Sequence, residues 1–398
     1  MKTRILDIRG LAADAALEMI REAAEAIRGG GIVAFPTETV YGIGANAFDE
    51  GAVRRVYAAK GRPSDNPMIV HIARAGDIAL LSNMLSPAIV KLADAFWPGP
   101  LTMVLEKREG VPGCVTGGLR TVGVRLPDSA AAIGLIRLAG TPVAAPSANL
   151  SGGPSPTRAE HAIRDLDGKV DVILAGDDCR VGIESTVVDM TAPAPEILRP
   201  GVVTQGDLEA ALGMPVKLHL GLRTKGDGSC VFVDCRVAAG AAPRNGSGGG
   251  TRGDGGAAPR DDGDGGGDSV PLCVDCRVAA GAALRDGSDG APRSPGMKYR
   301  HYAPRAKMLV EEGARERVRA ELGRLKAMNE ALGLRVGILL FEGCDCLEAA
   351  HDFFAKLRAL DDEGVDLIIA GALPETDGVG FAVMNRMMKA AGFNVVRV

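Results

Sequence analysis

One stretch divides this chain before any element is assigned. Residues 221–290 hold 18 of the 54 glycines, mixed with Asp, Arg, Ser and Ala: a third of the glycine in under a fifth of the 398 residues. Such a composition buries too little apolar surface to offset the entropy of ordering it. The stretch therefore reads as a long flexible linker, and it sets the domain plan: an N-terminal domain at 1–215, a linker at 216–304 and a C-terminal domain at 305–398. A hydrophobic content of 46% is ample for packed cores on both sides.

The linker contains a duplication. VDCRVAAGAA occurs at 233–242 and again at 274–283. Two copies do not make a stacked repeat architecture. Cys230 and Cys235 with Cys273 and Cys276 give C-x4-C and C-x2-C, a spacing compatible with zinc. One pair follows from copying the other, and the flanks are glycine-rich, which favours a duplicated insertion without function.

Charge and composition exclude several classes. With 46 Lys+Arg against 50 Asp+Glu, the net charge of -4 rules out a protein basic throughout, though not a local basic cleft. No apolar run approaches the ~20 residues of a membrane span, and MKTRILDIRG lacks a signal-peptide core, so a cytoplasmic protein without membrane contact is expected. The eight cysteines are scattered, against a disulfide framework. An aromatic content of 4% is too small for a single-strand stacking platform.

The N-terminal part mixes helices and strands. Ala16, Met19, Ile20, Ala23 and Ile27 fall at helical spacing, ended by the glycines at 29–31. GIVAF (31–35) reads as a buried strand. Asp49 is placed to cap a helix carrying Val53, Val56 and Tyr57. Further strands are expected at MIVHI (68–72), LTMVLE (101–106), TVGVRL (121–126), PVAA (142–145), DVILA (171–175) and STVVDM (185–190). Several connections are too short for a crossover helix, so a mixed α/β sheet is expected. In the C-terminal part KMLVEE, RVGILLF, VDLIIAG and FNVVRV alternate with helical stretches, the pattern of a small open α/β sheet. Cys344 and Cys346 read as a helix-start turn.

Three polar loops follow apolar strands, where α/β proteins place ligands. The first, PTETVYGIG (36–44), contains a G-x-G-x-x-A match at Gly42, Gly44 and Ala47. Its context argues against a dinucleotide site, because the glycines stand far from the strand and a turn is expected after them. The second, KGRPSDNP (60–67), puts Lys60 and Arg62 two residues apart. They suit polyphosphate oxygens, or else form a solvated basic turn. His71, on the following strand, reads as core histidine or ligand contact. The third, PSANLSGGPSPT (146–157), leads into a helix near Arg158 and offers hydroxyls and amides to an anion, or is an ordinary capped loop. Thr121, Arg125, Ser185, Thr186 and Arg199 add polar groups at strand ends. There is no P-loop, no nucleophile elbow, and no zinc-like cluster outside the linker. Cations, hydroxyls and amides suit nucleotide binding and phosphoryl or nucleotidyl transfer by positioning and charge stabilisation.

In order, PTETVYGIG, KGRPSDNP with MIVHI, WPGPLT (97–102), TVGVRLP, APSANLSGGPSPT, ESTVVD and RPG resemble the threonylcarbamoyl-AMP synthase family over nearly all of 15–212. SPGMKYRHYAP (294–304) and GVDLIIAGALPETDGVGFAVMNRMMKAA resemble its long, two-domain form. The resemblance implies a YrdC-like domain, an open twisted mixed α/β sheet with a concave, positively charged cavity, plus a small Rossmann-like α/β domain at the C-terminus. It implies that L-threonine, bicarbonate or carbon dioxide, and ATP give threonylcarbamoyl-AMP and pyrophosphate. ATP is a substrate, and Mg²⁺ is held mainly by its phosphates rather than by protein ligands. A separate transferase would pass the product to adenosine 37 of tRNA; weak tRNA or double-stranded RNA binding is a secondary possibility.

Matching the family position by position gives Lys60 and Arg62 catalytic roles. Thr39, His71, Arg125, Ala145 and Ser185 fall at the threonine contacts, with Arg125 on the carboxylate. Arg62, Asn66, Thr121, Ser147, Asn149, Ser155, Arg199 and Tyr302 fall at the ATP contacts, with Tyr302 on a segment that folds over the nucleotide. Lys60 and Arg62 are expected to face the cavity and to matter little for stability. The linker is longer and richer in glycine than the family's. Two other readings are an RNA-binding module, disfavoured by low aromatic content and acidic charge, and a hydrogenase-maturation carbamoyl transferase. The latter carries further segments ahead of its related domain, whereas the resemblance here starts near residue 1.

Overall fold

The structure is a computed structural model that describes residues 2–219, 222, 292–294, 301–343, 345–373 and 378–398. Strand β1 (Arg4–Asp7) leads to α1 (Ala13–Arg28), whose Ile20, Ala23, Ala24 and Ile27 form one buried stripe before the helix stops at Gly29. Strands β2 (Val33–Phe35) and β3 (Gly42–Asn46) pair antiparallel. Asp49 caps α2 (Glu50–Lys60) by accepting the Ala52 N–H at 3.0 Å, and Gly61 ends it in a left-handed conformation.

Next come β4 (Ile69–His71), a short 3-10 turn (Ala75–Leu80), α3 (Pro87–Phe96), β5 (Leu101–Glu106), β6 (Thr121–Arg125) and α4 (Ala130–Ala139). They are followed by β7 (Val143–Ala145), α5 (Ala159–Leu166), β8 (Val172–Ala175), β9 (Thr186–Asp189) and β10 (Glu196–Arg199). The short α6 (Gln205–Leu212) and β11 (Lys217–Leu218) complete this part. The strands form one mixed sheet, ordered β1-β8-β2-β3-β7-β4-β6-β5-β9-β10-β11.

The two faces of this sheet follow the period of two along its strands. Val33, Phe35, Val143, Ala145, Val172 and Leu174 pack with α1 and α4, while Ala34, Ile43, Ala45, Val70 and Ile173 enter the larger core on the other side.

A second sheet comprises β12 (Lys307–Glu312), β13 (Val336–Leu339), β14 (Leu367–Gly371) and β15 (Val395–Arg397), all parallel in the order β13-β14-β12-β15. Helix α7 (Arg315–Ala331) covers one face through Leu309 and Ile369. Helices α8 (Cys346–Glu363) and α9 (Gly378–Ala390) pack on Met308, Val310, Ile368 and Ala370 of the other. That second core also takes in Val40 and Ile183 from the first part of the chain, so both sheets belong to one compact unit.

Strands β1, β3, β10 and β11 lie where no strand was expected, and β3 replaces the turn after Gly42. The glycines that imitate a dinucleotide fingerprint have a packing reason. A Cβ on Gly44 would lie 2.5 Å from Val143 Cγ1, so only glycine lets β3 lie this close to the side chains of β7. Cys346 opens α8 behind the capping Asp345, as expected of a helix start. Cys344 and the four linker cysteines lie outside the described residues. No helix among those described is long and apolar enough to cross a membrane.

Candidate active site

Parallel pairing of β4 with β6 sets His71 beside Arg125, and antiparallel pairing of β4 with β7 sets Ile69 beside Ala145. The loop between β2 and β3 closes over these strand ends. Its shape comes from Thr37, whose hydroxyl donates to Val40 O at 2.6 Å and accepts the Thr39 N–H at 3.2 Å, a side-chain turn that fixes Thr39 in place. Arg125 then donates to Thr39 Oγ1 at 2.9 Å and to Gly99 O at 3.2 Å. Its remaining nitrogen lies 2.6 Å from Glu38 Oε1, an ionic contact without hydrogen-bond alignment.

These groups line a cavity of about 60 Å³ together with Arg62, Ser147, Glu184, Ser185 and Arg199, and with His301 and Tyr302 from the returning linker. Arg199 donates to Ser185 O at 3.0 Å and Ser185 Oγ at 3.1 Å, and the Ser185 hydroxyl also meets Thr102 Oγ1 at 2.8 Å. Arg62 donates to Pro67 O at 2.8 Å and Asn66 O at 3.2 Å. Three guanidiniums thus face one space containing a single carboxylate among its described lining, Glu184.

Burial dominates the titration behaviour. It pushes His71 down to about 3, aided by the Arg125 charge, so the imidazole is neutral at ordinary pH. Its Nδ1 is buried without a hydrogen-bond partner, which fits a ligand contact better than a satisfied core histidine. Burial also lowers Arg62 to about 10 and raises Tyr302 to about 12. For Glu184, burial pulls the carboxyl up, but Arg386 and Arg199 outweigh it and hold it below the ordinary carboxylate range.

Of the residues expected from sequence, Thr39, Arg62, His71, Arg125, Ala145, Ser147, Ser185, Arg199 and Tyr302 meet at this cavity. Lys60, Asn66, Thr121, Asn149 and Ser155 do not line it. Lys60 corrects an expectation: it is the buried last residue of α2, not a cavity-facing loop residue, and its ammonium donates to the carbonyls of Ser147 and Asn149. Burial and then the Arg62 charge push that ammonium well below the usual lysine range. Thr121 stands at the far end of β6 from Arg125. Asn66 is buried with its Oδ1 unpartnered. Asn149 spans its own loop, accepting from Ser147 Oγ and donating to Gly153 O, and Ser155 donates to Glu184.

Comparison with known proteins decides the family. A family model described as Telomere recombination matches residues 25–201, and one described as Threonylcarbamoyl-AMP synthase, C-terminal domain, matches 272–392. The threonylcarbamoyl-AMP synthase of Pyrococcus abyssi is 39% identical over 389 residues, covering 95% of this chain and 96% of that one. The Bacillus subtilis threonylcarbamoyl-AMP synthase is 38% identical, over 95% of this chain and 94% of its own. The chain belongs to the threonylcarbamoyl-AMP synthase family. The crystal structure of P. abyssi Sua5 complexed with L-threonine superposes with a TM-score of 0.79 at 38% identity, covering 100% of both chains.

Within the synthase family motifs, three titratable residues at the site carried no assignment from sequence: Glu38 in PTETVYGIG, behind the lining against Arg125, and Glu184 in ESTVVD and His301 in SPGMKYRHYAP, both on the lining. The signal was an acid beside a hydroxyl in the first two. What sequence could not supply was the arginine that each acid meets.

Proposed function

We propose that this chain makes threonylcarbamoyl-AMP from L-threonine, bicarbonate or carbon dioxide, and ATP, releasing pyrophosphate. The observation that carries the reading is the polar lining of the one cavity into which β4 and β6 bring His71 and Arg125. Arg125, Thr39 and neutral His71 stand at one end, a neighbourhood for an amino acid's carboxylate, hydroxyl and amine. Arg62 and Ser147 stand toward the other, and Arg199, held on Ser185, lines the same cavity from the Arg125 side; these cations and the hydroxyl suit phosphates. In the reaction the neutral threonine amine adds to carbon dioxide, losing a proton to give a carbamate. A carbamate oxygen bonds the α-phosphorus, and the bond to pyrophosphate breaks. Negative charge grows on the phosphate oxygens, so fixed guanidiniums in a water-poor cavity lower the barrier.

The threonine contacts are Thr39, His71, Arg125, Ser185 and the Ala145 backbone. Arg62, Ser147, Arg199 and Tyr302 serve the nucleotide, with Asn66, Thr121, Asn149 and Ser155 as its outer contacts. Arg62 acts on the phosphates directly, whereas Lys60 acts by holding the loop of Ser147 and Asn149. No three His, Cys, Asp or Glu residues among those described gather at a metal position, and Glu184 is already engaged by Ser155 and Arg386. Mg²⁺ in this reading is held mainly by the ATP phosphates. The boundaries 1–215, 216–304 and 305–398 are part of the same reading, as is a downstream transferase that places the product on tRNA.

Ligand pockets for a nucleotide-sized molecule usually offer ~300–1,000 Å³, so the 60 Å³ cavity must enlarge to admit ATP. One residue of its lining is strained, Tyr302. It sits at φ +66, a strained left-handed conformation for a tyrosine, and its ring packs on Phe354 at 5.3 Å. The test is pyrophosphate release by the purified chain. Release that requires ATP, L-threonine and bicarbonate together supports the proposal; none, or release indifferent to threonine, overturns it.

A further inference from the structure

Two arginines from the second sheet's helices grip the first sheet's loops at the cavity. Arg386, on α9, is fully buried; its Nε donates to Glu184 Oε2 and its Nη2 to Glu184 O, both at 3.2 Å, and its Nη1 reaches Pro200 O. It thereby ties together residues 184 and 200, the immediate neighbours of Ser185 and Arg199. Arg358, on α8, pairs with Asp165 at 2.7 Å and donates to Pro154 O at 2.6 Å and Ser155 O at 3.4 Å. Ser155 is thus held twice: its carbonyl by Arg358, and its hydroxyl by Glu184 Oε1 at 2.5 Å, which Arg386 fixes in turn. Tyr302 lines the cavity beside the same Glu184 and feels its charge.

A buried ion pair is a poor source of stability, because desolvation offsets most of the attraction. What a planar guanidinium with several fixed acceptors supplies is orientation. Its charge matters as well. Glu184 would otherwise present a bare carboxylate to incoming phosphates, or draw Arg199 away from them.

We infer that Arg386 is a positioning residue for nucleotide binding. Acting through Glu184, it neutralises the cavity's acid and sets Ser155, Arg199 and Tyr302 around the phosphates. The C-terminal domain then completes the nucleotide end of the site rather than merely docking beside it. The inference rests on the synthase reading for the identity of the nucleotide.

The test measures affinity for a non-hydrolysable ATP analogue by titration calorimetry, with KM values for ATP and L-threonine alongside. Arg386→Gln should weaken analogue binding tenfold or more while the threonine KM stays within twofold. Arg386→Gln leaves Glu184 unpaired in the interior and risks misfolding, so Glu184→Gln/Arg386→Gln, which removes both charges, is measured too. It restores the charge balance but not the orientation, so it should bind the analogue more tightly than the single variant and still at least threefold more weakly than the wild type. Arg164→Ala, which breaks the exposed pair with Asp362, should match the wild type. Analogue affinity within twofold of wild type in the double variant, or equal losses for ATP and threonine, would overturn the inference. Wild-type protein that binds the analogue but releases no pyrophosphate would instead refute the synthase reading, and the affinities would still decide the role of Arg386.

Discussion

The Arg125 guanidinium and the Glu38 carboxylate face each other at 2.6 Å inside the cavity wall, both almost wholly excluded from solvent. Glu38 therefore balances Arg125 before any substrate arrives. Removing one partner of such a pair strands the other charge, at a cost of about 3–5 kcal/mol. Glu38→Gln should lower the melting temperature. L-threonine should then raise the variant's melting temperature by more than the wild type's, because the substrate carboxylate supplies the missing charge. Equal threonine shifts in the two proteins would mean that the carboxylate binds elsewhere.

Lys60 and Arg62 are separable by their surroundings. The Lys60 side chain donates to two backbone carbonyls of the loop at 147–149, and a buried carbonyl left without its donor costs about 1–3 kcal/mol. Lys60→Ala should therefore lose stability and turnover together. Arg62 lines the cavity, and its acceptors lie at the turn just after its own helix, so Arg62→Ala should lose turnover tenfold or more with a small change in melting temperature. Calorimetric melts and pyrophosphate release on the same preparations check both; matched stability losses would contradict the distinction.

The contrast between these residues shows what the sequence could and could not tell. Strands rich in Val, Ile and Leu were legible from their composition, down to the ends of β5 and β12. β3 was not, because glycine at 42 and 44 replaces the side chains that would have shown its alternation. The cavity residues were legible as ordered motifs, since each motif sits at a strand end. Lys60 was misplaced because nothing in KGRP says that α2 runs on to include the lysine. Arg358 and Arg386 were invisible, since their partners lie about 200 residues away and only the packing of α8 and α9 brings them together.

Acid should destabilise this protein through its buried imidazoles. His71 titrates near 3 when folded and near 6.5 when unfolded, so between those values the unfolded chain holds more protons. Its contribution is complete above pH 6.5 and is lost as the pH falls toward 3, about 2 kcal/mol being gone by pH 5. His161, lowered by burial and then Arg358 to about 4, and His301, pushed down by burial and then Arg62, act in the same direction. His71→Gln should show a shallower fall in melting temperature between pH 7 and pH 5 than the wild type. Parallel curves would place His71 in contact with water.

Gly182 measures how closely the second sheet's helices approach the cavity loops. At φ +82 it adopts a conformation that costs an L-residue about 1–2 kcal/mol. A Cβ there would stand 2.4 Å from both the Cα and the carbonyl oxygen of His351, and backbone atoms of α8 cannot rotate aside. Gly182→Ala should push α8 outward, and with it Phe354, against which the Tyr302 ring packs. The melting temperature should drop by several degrees, and affinity for the ATP analogue should fall with it, although the substituted residue touches no ligand. A variant with wild-type melting and wild-type analogue affinity would show that α8 has room to spare at this point, and that the closed segment does not depend on it.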